Sequence, residues 1–245
     1  MDHNRRVRDR LRETFRRLRA PDERRALRRA RRAIDGLARA RLRPDYPWLS
    51  EYENLLSEQF LAENAAHHQP FVDLVEELAA VASPGRAPRL LEAGAGSAAF
   101  ALVLSRRNYQ VMAVDSDPLM VLRAQHIAAR LGGFARIVCM DLHELGWLRR
   151  DAFDVAFSQG TLEHFDNDDI HALITRQLEV ARYVVFSVPS LHWPNRDFVN
   201  ERKMSIDDWK TVLSEVDAEL LQLTSYQQGR HVLAALRRRQ DPSEP

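Results

Sequence analysis

The strongest constraint on this fold is an alternation that begins near residue 83 and continues to about residue 240. Short apolar runs at Arg89–Ala93, Gln110–Val114, Ala135–Met140, Phe153–Ser158 and Tyr183–Val188 are separated by stretches of helical spacing at 97–107, 117–131 and 166–180. Continuous apolar runs predict strands buried on both faces, and strand–helix alternation predicts that they lie parallel. Two further runs, 217–225 and 230–237, flank a Gln-Gln-Gly turn and predict an antiparallel pair closing one sheet edge. Upstream, 50–65 and 68–82 have amphipathic helical spacing, and Ser83-Pro84-Gly85 with Pro88 breaks the chain before the first strand. The expectation is an α/β fold, a mostly parallel sheet with helices on both faces.

Charge divides the chain differently. Residues 1–43 hold 17 arginines against 6 acidic side chains, a net of +11, whereas the remaining residues hold 19 basic against 29 acidic, a net of −10. Such a contrast predicts separate structural units: an arginine-rich helical arm at 1–43, a helical lid segment at 44–82, and the sheet domain at 83–240. Within the arm, Val7, Leu11, Phe15 and Leu18 form one helical stripe, Pro21-Asp22-Glu23 signals a second helix start, and Pro44 and Pro47 end it. Three readings stay open for the arm. It packs as a helical hairpin on its own domain or on a second subunit as a homodimer; it contacts RNA or another polyanion; or it lies on a membrane surface, for which it lacks tryptophan and a broad apolar face.

Other classes are excluded. The longest apolar run, Ala98 to Leu104, is far short of the roughly 18 residues needed to span a bilayer, which excludes a transmembrane protein, and with the membrane surface the least favoured reading of the arm no membrane partner is expected. No apolar stretch follows the basic N-terminal residues, so the expectation is no secretory leader and a cytoplasmic protein. One cysteine, Cys139 in a strand predicted to be buried, leaves no intramolecular disulfide and no thiolate-rich metal site.

The chemistry concentrates at predicted strand ends. Leu90-Leu91-Glu92-Ala93-Gly94-Ala95-Gly96-Ser97-Ala98 is a strand entering a small-residue turn and then a helix, a bend that lets a ligand approach the backbone. Asp115 ends the second strand 21 residues after Gly94, where a carboxylate can accept both hydroxyls of a ribose. NAD enzymes share that spacing, and Asp115 or Ser116 can instead cap the helix at Asp117-Pro118. Asp141 follows the third strand, placed to take a hydrogen bond from an adenine amino group. Phe153-Asp154-Val155-Ala156-Phe157-Ser158-Gln159-Gly160-Thr161-Leu162-Glu163-His164-Phe165 is an apolar strand ending in a polar loop that carries a histidine.

Taken together, LEAGAGSAAF, VMAVDSD, IVCMDL, FDVAFSQGTLEHF and VVFSVPS, in that order over residues 70–237, resemble the class I S-adenosylmethionine-dependent methyltransferases, particularly the group acting on small molecules. The resemblance implies a Rossmann-like seven-stranded sheet with a reversed last strand, S-adenosylmethionine as cofactor with S-adenosylhomocysteine as product, and no metal. It implies that Glu92 reaches the methionine ammonium and that Gly94 and Gly96 let the main chain pass close to the cofactor. Asp115 then holds the ribose diol, and Met120 lies against adenine. Asp141 and Leu142 read the adenine edge, and Ser158 and Gln159 contact the amino-acid moiety. Ala93, Ser116 and Gly160 complete the cofactor-facing set. A carboxylate two residues before the glycine suits a cationic ammonium and repels a pyrophosphate, which favours S-adenosylmethionine over NAD.

Methyl transfer from a sulfonium is an in-line displacement, so its rate comes mainly from alignment and exclusion of water. A general base is needed only where the acceptor must lose a proton, and His164 is the candidate; the alternative is a structural histidine in the loop. Segment 46–70, with Tyr52, His67 and His68, and loop 189–204, with His192 and Trp193, are the expected acceptor contacts. No Asn-Pro-Pro-Tyr or Asp-Pro-Pro-Tyr follows the fourth strand, which disfavours methylation of exocyclic base amines or glutamine. No His/Asp/Glu group with ligand spacing occurs along the sequence, which disfavours the metal-dependent catechol type, and Asp166, Asp168 and Asp169 read as exposed acids and a helix start. The function expected is methylation of an oxygen or nitrogen of a small organic acceptor in specialised metabolism. An RNA or protein methyltransferase that docks its substrate on the arm, a non-catalytic assembly protein of the same fold, and more distantly an NAD-dependent oxidoreductase are the alternatives.

Overall fold

The structure, a computed structural model, describes residues 57–194 and 200–239. The arm at 1–43, the start of the lid segment including Tyr52, and positions 195–199 of the long loop lie outside the described residues.

Two helices come first, α1 (Glu58–His67) and α2 (Gln69–Ala82), followed by β1 (Arg89–Ala93), α3 (Ala99–Ser105), β2 (Gln110–Asp115), α4 (Pro118–Leu131) and β3 (Arg136–Cys139). Then come β4 (Phe153–Gln159), α5 (Asn167–Val180), β5 (Ala181–Pro189), α6 (Ile206–Ser214), β6 (Ala218–Tyr226) and β7 (His231–Arg238), with 3-10 turns at Leu142–Trp147 and Leu162–His164 flanking β4. The sheet has seven strands in the order β3-β2-β1-β4-β5-β7-β6. β1 to β5 are parallel, and β7 runs antiparallel to both β5 and β6.

Alternate strand residues feed two apolar layers. Leu90, Val155, Phe157 and Val185 pack with Phe71 and Val75 of α2, Phe100 and Leu102 of α3 and Ile127 of α4. Leu91, Ala156, Val184 and Phe186 face Ile170 and Ile174 of α5 and Trp209 of α6. Each inner residue loses its water-exposed surface on one face only, which is why both strand parities are apolar. α2 is therefore part of the layer that covers the sheet.

Local chemistry sets the element ends. Ser57 caps α1 by accepting from the Phe60 amide at 3.1 Å, and the helix runs on to His67, with His68 as the junction to α2. Asp117, with Pro118 behind it, caps α4. A reciprocal capping box between Ser205 and Asp208 starts α6, an element the sequence reading did not anticipate. The β6–β7 hairpin turns through Gln227, Gln228 and Gly229, all with positive φ.

One expectation is corrected. Cys139 is exposed, not buried: β3 pairs only with β2, and on an edge strand alternate side chains face solvent. Partial burial, then Asp115 and Asp117, push its thiol pKa up, so the nucleophilic thiolate stays disfavoured.

Because β1 leads one way to β2 and β3, and its other neighbour β4 leads to β5, the strand order reverses between β1 and β4. At such a switch point open α/β sheets take ligands, in the crevice outside the carboxyl ends of the strands.

Candidate active site

The crevice begins at the end of β1. Gly94, Gly96 and Ala98 all adopt left-handed backbone, with φ of 69°, 49° and 56°, so this bend turns the chain sharply before α3. A Cβ at Gly94 would meet the Thr161 methyl at 2.4 Å. The close approach that Gly94 permits is thus made by the loop after β4, and Thr161 Oγ1 donates back to the Gly94 carbonyl at 3.2 Å. Ala98, at the third small position, holds the left-handed conformation despite its methyl group.

Glu92 sits beneath this bend, 4 % exposed, where its carboxyl accepts the Ala101 amide at 2.9 Å. Burial, opposed by that amide and assisted by nearby Asp115, raises its pKa to about 8. Without a cation beside it, Glu92 is mostly protonated at neutral pH. Asp115 spans the bend: one oxygen accepts the Gly96 amide at 2.8 Å, the other the Asp117 amide at 2.9 Å. Burial raises its pKa as well. Asp117, not Asp115 or Ser116, is the N-cap of α4, so the lone pairs that Asp115 keeps face no helix end. Ser116 is exposed, and its carbonyl lies 3.7 Å from Cys139 Sγ.

Other predicted positions line the same edge. Met120 is buried in the first turn of α4. Asp141 caps the 3-10 turn that starts at buried Leu142, accepting both the amide and the ring of His143 at 3.1 Å; it is engaged with His143, which also bridges to Asp169. Ser158 is buried at the end of β4, and its Oγ has no hydrogen-bond partner among the described residues. Gln159 ends β4 half-buried, and Gly160 donates its amide to the Ser187 carbonyl at 2.9 Å. Ala93 is fully buried. A buried acid at the bend, a carboxylate at the next strand tip and an orphaned hydroxyl on the third fit a ligand that carries an ammonium, a diol and a carboxylate.

His164 closes the 3-10 turn after β4, its Nε2 4.0 Å from Glu163 Oε1. Glu163 is 1 % exposed, and burial, with Glu201 nearby, raises its pKa to about 8. Sequence reading passed over Glu163, although an acid between Leu162 and His164 in an apolar turn is the signal that marks it. Past β5, His192 is exposed and lines a cleft of about 310 Å³ together with Ser190, Ser205, Ser225 and Gly229. The Trp193 ring lies 4.8 Å from that of His231. His67 also lies against His231, Nε2 to Nε2 at 3.1 Å.

Residues 90–183 match the model of a family described as a methyltransferase domain. No curated protein matches the sequence. Among solved structures, a Pyrococcus horikoshii OT3 protein is similar at a TM-score of 0.61 and 10 % identity, over 75 % of this chain and 93 % of that one. Magnesium protoporphyrin IX methyltransferase from Synechocystis PCC 6803 with bound SAM is similar at 0.57 and 17 % identity, over 80 % and 93 %. A 1,6-didemethyltoxoflavin-N1-methyltransferase from Burkholderia thailandensis, with bound 1,6-didemethyltoxoflavin and S-adenosylhomocysteine, is similar at 0.57 and 20 % identity, over 91 % and 92 %. At these identities the likeness is one of fold.

Proposed function

We propose that this chain is a class I S-adenosylmethionine-dependent methyltransferase that methylates an oxygen or nitrogen of a small organic acceptor, a reading supported by the methyltransferase-domain match over residues 90–183 and by the likeness of fold. The observation that carries the cofactor side of this reading is Glu92, a buried acid under the bend at the switch point, kept neutral by burial until a cation arrives. A sulfonium amino acid brings its own ammonium to that spot, whereas a dinucleotide brings a pyrophosphate that a carboxylate repels. Asp115 holds the ribose diol on the lone pairs its two backbone bonds leave, and Ser158 Oγ takes the amino-acid moiety. Gly94 and Gly96 shape the bend, while Met120, Asp141 and Leu142 face the base.

S-adenosylmethionine supplies a methyl already activated by its sulfonium. What the chain adds is position, dryness and, where the acceptor is acidic, a proton sink. His164 stands at the β4 tip for that last task, with Glu163 beside it to orient the ring or to stabilise its charged form. The cleft past β5 and β7, at about 310 Å³, is of a size that holds a small molecule. The similar enzymes named for a magnesium porphyrin and for a toxoflavin precursor act on acceptors of that class.

One observation favours a second reading: the net charge of +11 on residues 1–43 suits an RNA or acidic-protein substrate docked on the arm. An untargeted search for methylated products, with the protein and labelled cofactor added to metabolite, RNA and peptide pools, separates the two. Label in a small molecule supports the proposal, and label only in RNA or protein overturns it. In the same assay His164→Ala should slow turnover about 100-fold or more while leaving cofactor affinity near wild type. An equal loss in both would make His164 a binding residue.

A further inference from the structure

Two neighbouring histidines and a third far along the chain meet at the edge that also carries the glycine bend. His67 ends α1, His68 begins α2, and His231 begins β7, where it pairs with Pro189 at the end of β5. Their ring centroids are 4.8 to 5.3 Å apart, and the planes cross at 65° to 82°, so the rings meet edge-on. One ligand nitrogen from each lies within 4.8 Å of the others. His68 and His231 are buried, and His67 is half-buried.

From this convergence we propose a zinc site formed by His67, His68 and His231, joining the α1–α2 junction to the β6–β7 hairpin. Two nitrogens bound to one tetrahedral zinc at about 2.0–2.1 Å stand about 3.3 Å apart. The Nε2 atoms of His67 and His231 are already 3.1 Å apart, and the third ligand atom lies within 4.8 Å of both. His68 has the support a ligating histidine requires. Its Nδ1 lies 2.5 Å from the Tyr226 hydroxyl, which lies 2.6 Å from Ser187 Oγ, so Nε2 is the nitrogen His68 offers. His231 is packed between the Tyr226 ring, stacked at 22°, and Trp193, and its Nδ1 has no partner among the described residues. Burial holds both inner rings in the neutral form that ligates. The donor set is all imidazole, which selects zinc and its neighbours over magnesium or calcium, and three such ligands leave one tetrahedral position for water.

Ordinary packing explains less. Packing accounts for one N–H···N hydrogen bond between His67 and His231, but not for a third imidazole brought within 4.8 Å of both and held by its own hydroxyl chain. Methyl transfer itself needs no metal, and the site stands whether or not the acceptor proposed above is right.

The test uses the full chain, purified without a histidine tag, stripped with chelator and titrated with Zn²⁺ alone against a chromophoric competitor. Co²⁺ is added separately to read the geometry by its visible absorption. One equivalent of Zn²⁺ per chain and tetrahedral cobalt bands are expected. His67→Gln, at the half-exposed end of α1, should weaken Zn²⁺ at least 100-fold while circular dichroism stays unchanged, and Tyr226→Phe should weaken it about 10-fold. His126→Ala, an exposed histidine on α4, should bind as wild type. Less than one equivalent in the wild-type chain, or His67→Gln binding as tightly as wild type, overturns the site.

Discussion

Glu92 and Glu163 are buried acids whose folded pKa, about 8 in each, lies well above the ordinary 4.5. A raised folded pKa means that the folded state holds the proton more tightly. The stabilisation is therefore complete below about pH 4.5 and is lost as pH rises through about 8. Asp154 works in the opposite sense. Burial raises its pKa, but Arg86 at 2.8 Å and the Arg89 amide at 2.7 Å outweigh burial and hold it below the usual value. Its contribution is present above the unfolded value and is lost as pH falls through the folded one. In melting experiments on the ligand-free protein, the midpoint should therefore fall between pH 6 and pH 9, and Glu92→Gln should flatten that fall. Glutamine imitates the neutral acid, so the variant should fold normally yet lose the charge that meets an ammonium, weakening S-adenosylmethionine by about 2 kcal/mol, roughly 30-fold. A variant that binds the cofactor as wild type would remove Glu92 from the site.

At the scale of elements, the α4 cap ties a helix start to Asp115. Asp117 accepts the Leu119 and Met120 amides at 2.8 and 3.3 Å, and its own amide is held by Asp115. Asp117→Ala should cost about 1 kcal/mol by chemical denaturation and should also weaken cofactor binding, because Asp115 loses a fixed partner; stability lost with affinity intact would confine Asp117 to capping. The elements were largely legible in the sequence because buried parallel strands read as unbroken apolar runs: β1 was placed to the residue, and β2 and β4 to within one. β5 was read two residues short at its start, since Arg182 interrupts its apolar run. α6 escaped notice because it is only nine residues long and follows a polar loop, although Ser205 and Asp208 spell out its start. The positions proposed for the cofactor could be named because they follow strand ends in order. The histidine group was not, since His231 lies 163 residues from His68 and only the return of β7 beside β5 brings it there. Thr161 over Gly94 was hidden for the same reason: the contact crosses from one strand tip to its neighbour in the sheet.

At the scale of the whole molecule, a basic arm precedes an acidic body, and no helix among the described residues is long and apolar enough to cross a membrane. If the arm is an accessory to a small-molecule enzyme, removing residues 2–43 should leave cofactor affinity and small-acceptor turnover unchanged, while RNA binding or dimerisation, measured by gel shift and light scattering, is lost. Loss of small-acceptor turnover on deletion would make the arm part of the active site. The account rests on the crevice between β1 and β4 taking S-adenosylmethionine. Its most direct test is isothermal titration of the full chain at pH 7, repeated in two buffers of different ionisation enthalpy. The predicted result is one equivalent of S-adenosylmethionine bound with release of a proton as Glu92 ionises, binding lost in Asp115→Ala, and no heat with NADH. Saturable binding of NADH with none of S-adenosylmethionine would contradict it.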